Sequence, residues 1–269
     1  MDRAPMTDDQ NEGPQLVPRP VDAAVAAEWR TFFSGGGVFS LPAATEVNRR
    51  KRARNTVFLT VLLLLAVAAV AVAGVLLATG SGRALTYALL AVLLIVTVVA
   101  TARIAGIRRA LNAVRDSPQE YIAVSRDGMR FAGIEFPWTA IVGGLIIDER
   151  GAQYSGLKRL TAKIMLSAGH PQVEMLLGVR EGTVRDHRAH APGAVGRVFF
   201  VSMGSGGPRI PLQHAIDDDS INALATAARV SAADADVPII VSRDPAVIHP
   251  TIMAIWRGKR PTAGKESNE

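Results

Sequence analysis

The side chains best equipped for chemistry in this sequence are few, and their spacing does not complete a site. Asp186, His187 and His190 stand together in "RDHRAH". Imidazole and carboxylate can ligate one metal, but a further ligand is missing, and the Arg and Gly around them describe a solvated connection. Asp217, Asp218 and Asp219 have the charge for a hard cation. They lack the glycine and terminal glutamate of a calcium loop and stand where a helix needs a cap. "GKRPTAGKE" at 258–266 imitates a phosphate loop with its glycines one residue too far apart, and Glu266 takes the place of the Ser or Thr that would hold magnesium. "GSGGP" at 204–208 has neither nucleophile-elbow nor dinucleotide-loop spacing, which leaves Ser205 in a turn. The chain has no cysteine, so disulfides, thiolate catalysis, zinc–thiolate sites and iron–sulfur clusters are excluded. No catalytic residue, metal site or cofactor is assigned, and the expectation is a protein that is not an enzyme.

The elements that would position any site begin with a membrane anchor. Residues 56–79 carry no charge, and after "GSGR" residues 84–102 carry none either. One continuous helix over both would be roughly 70 Å long against a hydrocarbon core of about 30 Å, so the chain must fold back. Gly80, Ser81 and Gly82 supply the turn. Arg83 would cost about 2.5 to 3.5 kcal/mol at the bilayer centre and belongs at an aqueous surface. Arg49, Arg50, Lys51, Arg52 and Arg54 precede the first span, and Arg103, Arg108, Arg109 and Arg115 follow the second. This asymmetry predicts a cell-membrane protein with two spans, 56–79 and 84–104, and both termini in the cytoplasm. The same cations would lie against anionic headgroups, which accounts for a net charge of +6 without nucleic acid. No ionisable residue sits mid-span, so the hairpin has none of the usual marks of an ion or proton path.

Residues 1–20 read as a disordered tail. Residues 21–55 join an amphipathic stretch to the polybasic run. Val25, Trp29, Phe32 and Phe33 fall on one side of a helix that Gly35, Gly36 and Gly37 end. That face either lies at the membrane interface or docks on the folded domain, the latter preferred. Over 105–118, Ile107, Leu111 and Val114 carry the second helix onward until Ser117-Pro118 stops it.

A β-domain follows. In "YIAVSRDGMRFAGIEFPWTAI", residues 121–141, alternation through Val124, an Asp-Gly turn and alternation from Met129 to Gly133 predict a hairpin, and Pro137-Trp138 opens a third strand through Ile147. Strand-like runs recur at 160–166, 197–203 and 209–212. Asp217 to Asp219 then cap a helix with Ile221, Leu224, Ala225 and Ala228 on one face. This order, with its Pro-Trp-x-x-Ile pattern, resembles the bacterial pleckstrin-homology-like domain. The resemblance covers 119–232 and implies a membrane-anchored α+β protein. Its domain would be an antiparallel, seven-stranded sandwich or half-barrel with the helix at 220–230 plugging one end. It does not imply inositol-lipid binding, because the short first turn offers only Arg126 and Arg130.

The extension 233–269 holds Ile248, Ile252 and Ile255 at helical spacing, then Trp256, Arg257, Lys259 and Arg260, with Pro250 expected to interrupt. This stripe either lies on the anionic inner leaflet or packs on the domain. Trp29, Phe32, Phe33 and Trp138 are candidate partner contacts, although a Trp after Pro at a strand entry is more often core. The basic residues flanking the spans, with Trp256 and Arg257, are candidate membrane-interface positions. The reading is a non-catalytic interaction or assembly module whose partners are other membrane or cytoplasmic proteins and an anionic bilayer. The alternative is an accessory or regulatory subunit of a multi-component membrane enzyme or transporter.

Overall fold

The computed structural model describes residues 20–43, 45–80, 82–115, 120–152, 154–180, 206–214 and 216–261. The Asp186, His187 and His190 group, Ser205, Ser117-Pro118, the strand expected at 197–203, Glu266 and nearly all of the 1–20 tail lie outside them.

Two helices, α2 (Thr45–Thr79) and α3 (Ala84–Arg115), form the hairpin. Both are long and apolar enough to cross a membrane, and only 6% of each apolar window is covered by the rest of the chain. Such exposure is unlike that of a core helix in a water-soluble fold, which is mostly buried. Ala69 is among the few positions buried along the apolar stretch.

The first sheet runs β1 (Phe39–Pro42), β2 (Glu120–Val124), β3 (Gly128–Phe131), β4 (Ile134–Pro137), each antiparallel to the next. The Asp-Gly turn forms as expected, with Ser125 N donating to Gly128 O at 2.9 Å. The next strand stops at Phe131, short of Gly133. Ala132 and Gly133 have φ of 49° and 81°, the left-handed pair that a tight two-residue hairpin turn needs. An unforeseen strand, β4, therefore precedes Pro137-Trp138, with Ile134 and Phe136 buried and Glu135 exposed between them. Trp138 does not open a strand. Residues Trp138–Ala140 form a 3₁₀ turn that carries the chain into the second sheet at β5 (Ile141–Asp148).

The second sheet has the order β7 (Gly206–Pro211), β6 (Val173–Val179), β5, β8 (Ile239–Ser242). It is mixed, because β8 runs parallel to β5 after a helical crossover. Eight strands are thus seen among the described residues, where seven antiparallel ones were expected. Residues 160–166, expected as strand, belong to helix α4 (Gly156–Ser167) between β5 and β6.

Helix α5 (Asp218–Asp234) is longer than 220–230 and is capped by Asp217, which accepts from Ser220 N at 2.8 Å. Its buried Ile221, Leu224 and Ala228 share one core with Tyr121, Phe131 and Phe136 of the first sheet and with Ile146 and Leu177 of the second. Helix α1 (Ala23–Ser34) docks on α5 through buried Phe33 and an Arg30–Asp234 pair at 3.3 Å. Helix α6 (Pro245–Trp256) continues through Pro250 without interruption and lies on the second sheet. Gly178 makes room for it: a Cβ there would stand 2.8 Å from Ile255 Cγ2. Residues on both sides of 119–232 therefore complete the folded body.

Candidate functional site

The polar stripe that joins hairpin to β-body lies on the first turns of α2, ahead of its apolar part. Asn48, Lys51 and Asn55 are spaced by three, four and seven residues, which places them on one helix face. Asn48 Nδ2 donates to Leu111 O of α3 at 3.0 Å and to His214 O of the body at 3.3 Å. Two turns later Asn55 Nδ2 repeats the pattern, donating to Ile104 O at 3.1 Å and to Ala168 O, just beyond α4, at 3.0 Å. Between them Lys51 Nζ donates to Gln213 O. Each buried amide thus ties three elements together, and replacing one would leave two carbonyls without that donor at a buried position.

His214 faces this stripe from the 3₁₀ turn Leu212–His214 and is 1% exposed. Its Nε2 lies 2.7 Å from Gly169 O. A carbonyl only accepts, so Nε2 carries the proton and Nδ1 is left buried without a protein partner. Burial, reinforced by the Lys51 ammonium and by His170 and opposed by the Gly169 bond, pushes the imidazole down to about 3. Burial also lowers Lys51 to about 8, with Asp218 acting against the shift and Arg54 with it. The junction is therefore a neutral imidazole and two amides arranged around a desolvated ammonium. Its donors are committed to backbone carbonyls, an arrangement that holds elements in place.

The residues singled out for the membrane interface divide. Arg49 and Arg50 pair with Glu46 on the surface at 2.7 and 2.9 Å. Arg54, Arg103 and Arg109 are exposed, and Arg52 is half-buried. Arg108 is turned inward, donating to Arg52 O at 2.8 Å and to Thr56 Oγ1 at 2.6 Å, and so clamps α3 to α2. Trp256 packs beside Ile255 on the second sheet, while Arg257 is exposed. Among the candidate partner contacts, Trp138 is 2% exposed, with Nε1 donating to Ser231 Oγ at 3.0 Å. Trp29 stacks on Phe33 with ring centroids 5.6 Å apart, and Phe32 keeps 43% of its surface exposed. The structure brings none of these aromatic residues to the Asn48–Asn55 stripe.

Sequence reasoning missed Asn48, Asn55 and His214. The available signal was two asparagines seven residues apart inside a run otherwise read only for its charge. It also missed Arg150, 1% exposed, which grips Asp148 through Nε and Nη2 at 3.0 Å each and reaches Asn222 Oδ1 at 2.7 Å. This ties the end of β5 to α5 and sets the path of the chain toward α4. Beside α4 lies a cleft of about 390 Å³ bounded by Arg103, Glu149, Tyr154, Leu157, Met165 and His170. No family model, curated protein or solved structure matches this chain.

Proposed function

We propose that this chain is a membrane-anchored, non-catalytic interaction module: a hairpin of two transmembrane helices that holds a pleckstrin-homology-like body on the cytoplasmic face in a fixed orientation. The observation that carries the reading is the pairing of β1 with β2. Pro42 and Glu120, one before the hairpin and one after it, are neighbours in a sheet, so both ends of the hairpin stand on the same side of any membrane it crosses. The cationic flanks, against a lone Arg83 in the connection, favour the cytoplasm for that side. The likeness to the pleckstrin-homology-like family rests on two packed sheets with a helix across their shared core. The parallel β8 and the inserted α4 are features of this chain beyond that pattern.

A tethered body meets membrane partners at raised effective concentration, and the Asn48–Asn55 stripe fixes which of its faces they meet. The test is crosslinking and affinity capture of the tagged full-length protein from native membranes. Two sets of variants are compared with it: exposed positions of the body, beginning with Phe32→Ser, and lipid-facing positions of the hairpin such as Leu64→Ala and Leu89→Ala. The module reading expects partner recovery to fall with the first set alone. Loss confined to the hairpin set would replace it with the accessory-subunit reading. Topology is checked independently: the chain has no cysteine, so Arg83→Cys and Arg257→Cys each give a unique thiol, to be labelled from opposite sides.

A further inference from the structure

Helix α4 presents an apolar face to solvent that the described residues leave uncovered. Leu157, Leu160 and Ile164, at i, i+3 and i+7, are 78%, 56% and 43% exposed, and none of its twelve residues is buried. Nor is the helix held by its start: Ser155 stands at the N-cap without a capping bond, and the first turn has no acidic residue. A twelve-residue helix with no N-cap bond and no buried residue is marginal in water, so its apolar face requires a partner.

The position of α4 identifies that partner. Its C-terminal end is fastened at Ala168, whose carbonyl accepts from Asn55, the last polar residue of the stripe before the apolar run of α2. Ala168 and Met165 pack against Ile104, Phe58, Leu59 and Leu62, which belong to the cytoplasmic ends of the two spans. Further along α4, Leu157 and Met165 bound the same cleft as Arg103, the first charge after the second span. The C-terminal end of α4 is thus tied to the level at which the hairpin changes from polar to apolar, and its N-terminal end borders a cleft shared with Arg103. Its charges complement a lipid surface as well: Lys158, Arg159 and Lys163 flank the apolar stripe, and no salt bridge among the described residues engages them.

We infer that α4 is an interfacial helix that lies in the cytoplasmic leaflet, with Leu157, Leu160 and Ile164 among the upper acyl chains and Lys158, Arg159 and Lys163 on the phosphates of anionic lipids. This rests on the reading that the hairpin spans the membrane. Together with the Asn55 bond, it gives the body two attachments to the bilayer, one through the spans and one along the surface, which fixes its rotation as well as its height.

The experiment uses the full-length protein in lipid nanodiscs, of phosphatidylcholine alone or with a quarter phosphatidylglycerol, carrying a nitroxide on one introduced cysteine. Leu160→Cys is compared with Val70→Cys in the apolar part of α2 and with Glu28→Cys on α1, reading collisions with oxygen against a water-soluble nickel complex. The expected result is an oxygen-to-nickel ratio at 160 about tenfold above that at 28 and approaching that at 70, since an interfacial helix buries its apolar face roughly 5 to 10 Å into the boundary. The ratio rises further with phosphatidylglycerol, because each basic side chain near an anionic surface shifts such an equilibrium by roughly fivefold. A water-like ratio at 160 with a lipid-like ratio at 70 overturns the inference and leaves the anchor intact. A water-like ratio at 70 overturns the spanning reading itself. Protection of 160 from both reagents overturns it in favour of a protein partner on α4, and equal immersion in both discs overturns the role given to the cations.

Discussion

Helices α4 and α6 have the same length, twelve residues, and opposite constructions. Helix α6 is built to fold within the protein: Asp244 caps it by accepting from Ala246 N at 2.8 Å, Pro245 occupies its first turn, and Ile255 is 1% exposed against Leu145, Ile147 and Leu176. Helix α4 has no N-cap bond and buries none of its own residues. What holds it is one carbonyl at its C-terminal end and a few side chains from the hairpin. The difference teaches that an apolar stripe at helical spacing says little until its neighbours are known. Both stripes satisfy the same period, and only α6 lies over a sheet that Gly178 leaves open to receive it.

The largest effect that separates the two helices is expected from Ile255→Ala. It should destabilise the body by about 2 to 5 kcal/mol, measured by denaturant unfolding in detergent micelles, whereas Leu160→Ala in the same assay should change little. Acid comes next and acts on the α4 side. His214 has a folded pKa of about 3, below its ordinary value of 6.5. Between these values the unfolded chain binds a proton that the folded chain refuses. Stability is therefore full above pH 6.5 and falls as the pH drops, by about 1.4 kcal/mol per unit inside the window. Melting curves at pH 7.5 and 5 should show the decrease, and His214→Gln should flatten it. Asn55→Ala should cost about 1 to 3 kcal/mol and raise hydrogen exchange in α4 while leaving α6 protected, because it frees Ala168 O and Ile104 O together. The smallest contrast is in the caps: Asp244→Ala should cost about 1 kcal/mol, and Ser155→Ala should be silent by the same melting assay.

Charge-free length made the hairpin legible, and the expected boundaries at Thr79 and Ala84 coincide with the helix ends. The Asp-Gly turn and the Asp217 cap were legible because each is a local device with its own chemistry. Other parts were hidden by ambiguity or distance. Leu160, Ala162, Ile164 and Leu166 alternate like a strand, while Leu157, Leu160 and Ile164 follow a helix. Nothing local decides between the two periods; the attachment at Ala168 and the neighbouring hairpin do. Strand β1 is four residues whose partner lies beyond both long helices, so its identity comes from β2. The Asn48–Asn55 stripe escaped because the run around it was read for how many cations it held, when the informative property was which side of the helix each residue faced.

The pairing of β1 with β2 also bears on how the chain is made. Pro42 leaves the ribosome with its partner Glu120 still 78 positions behind it. At the usual 5 to 20 residues per second, that is a wait of roughly 4 to 16 s during which both apolar helices emerge. Throughout that interval the first strand has no edge to join, and a series of arrested nascent chains should show it becoming protease-resistant only once β2 is exposed. On the proposed spanning reading, sheet closure would also report correct insertion: a hairpin left with its two ends on opposite sides of the bilayer could not pair Pro42 with Glu120.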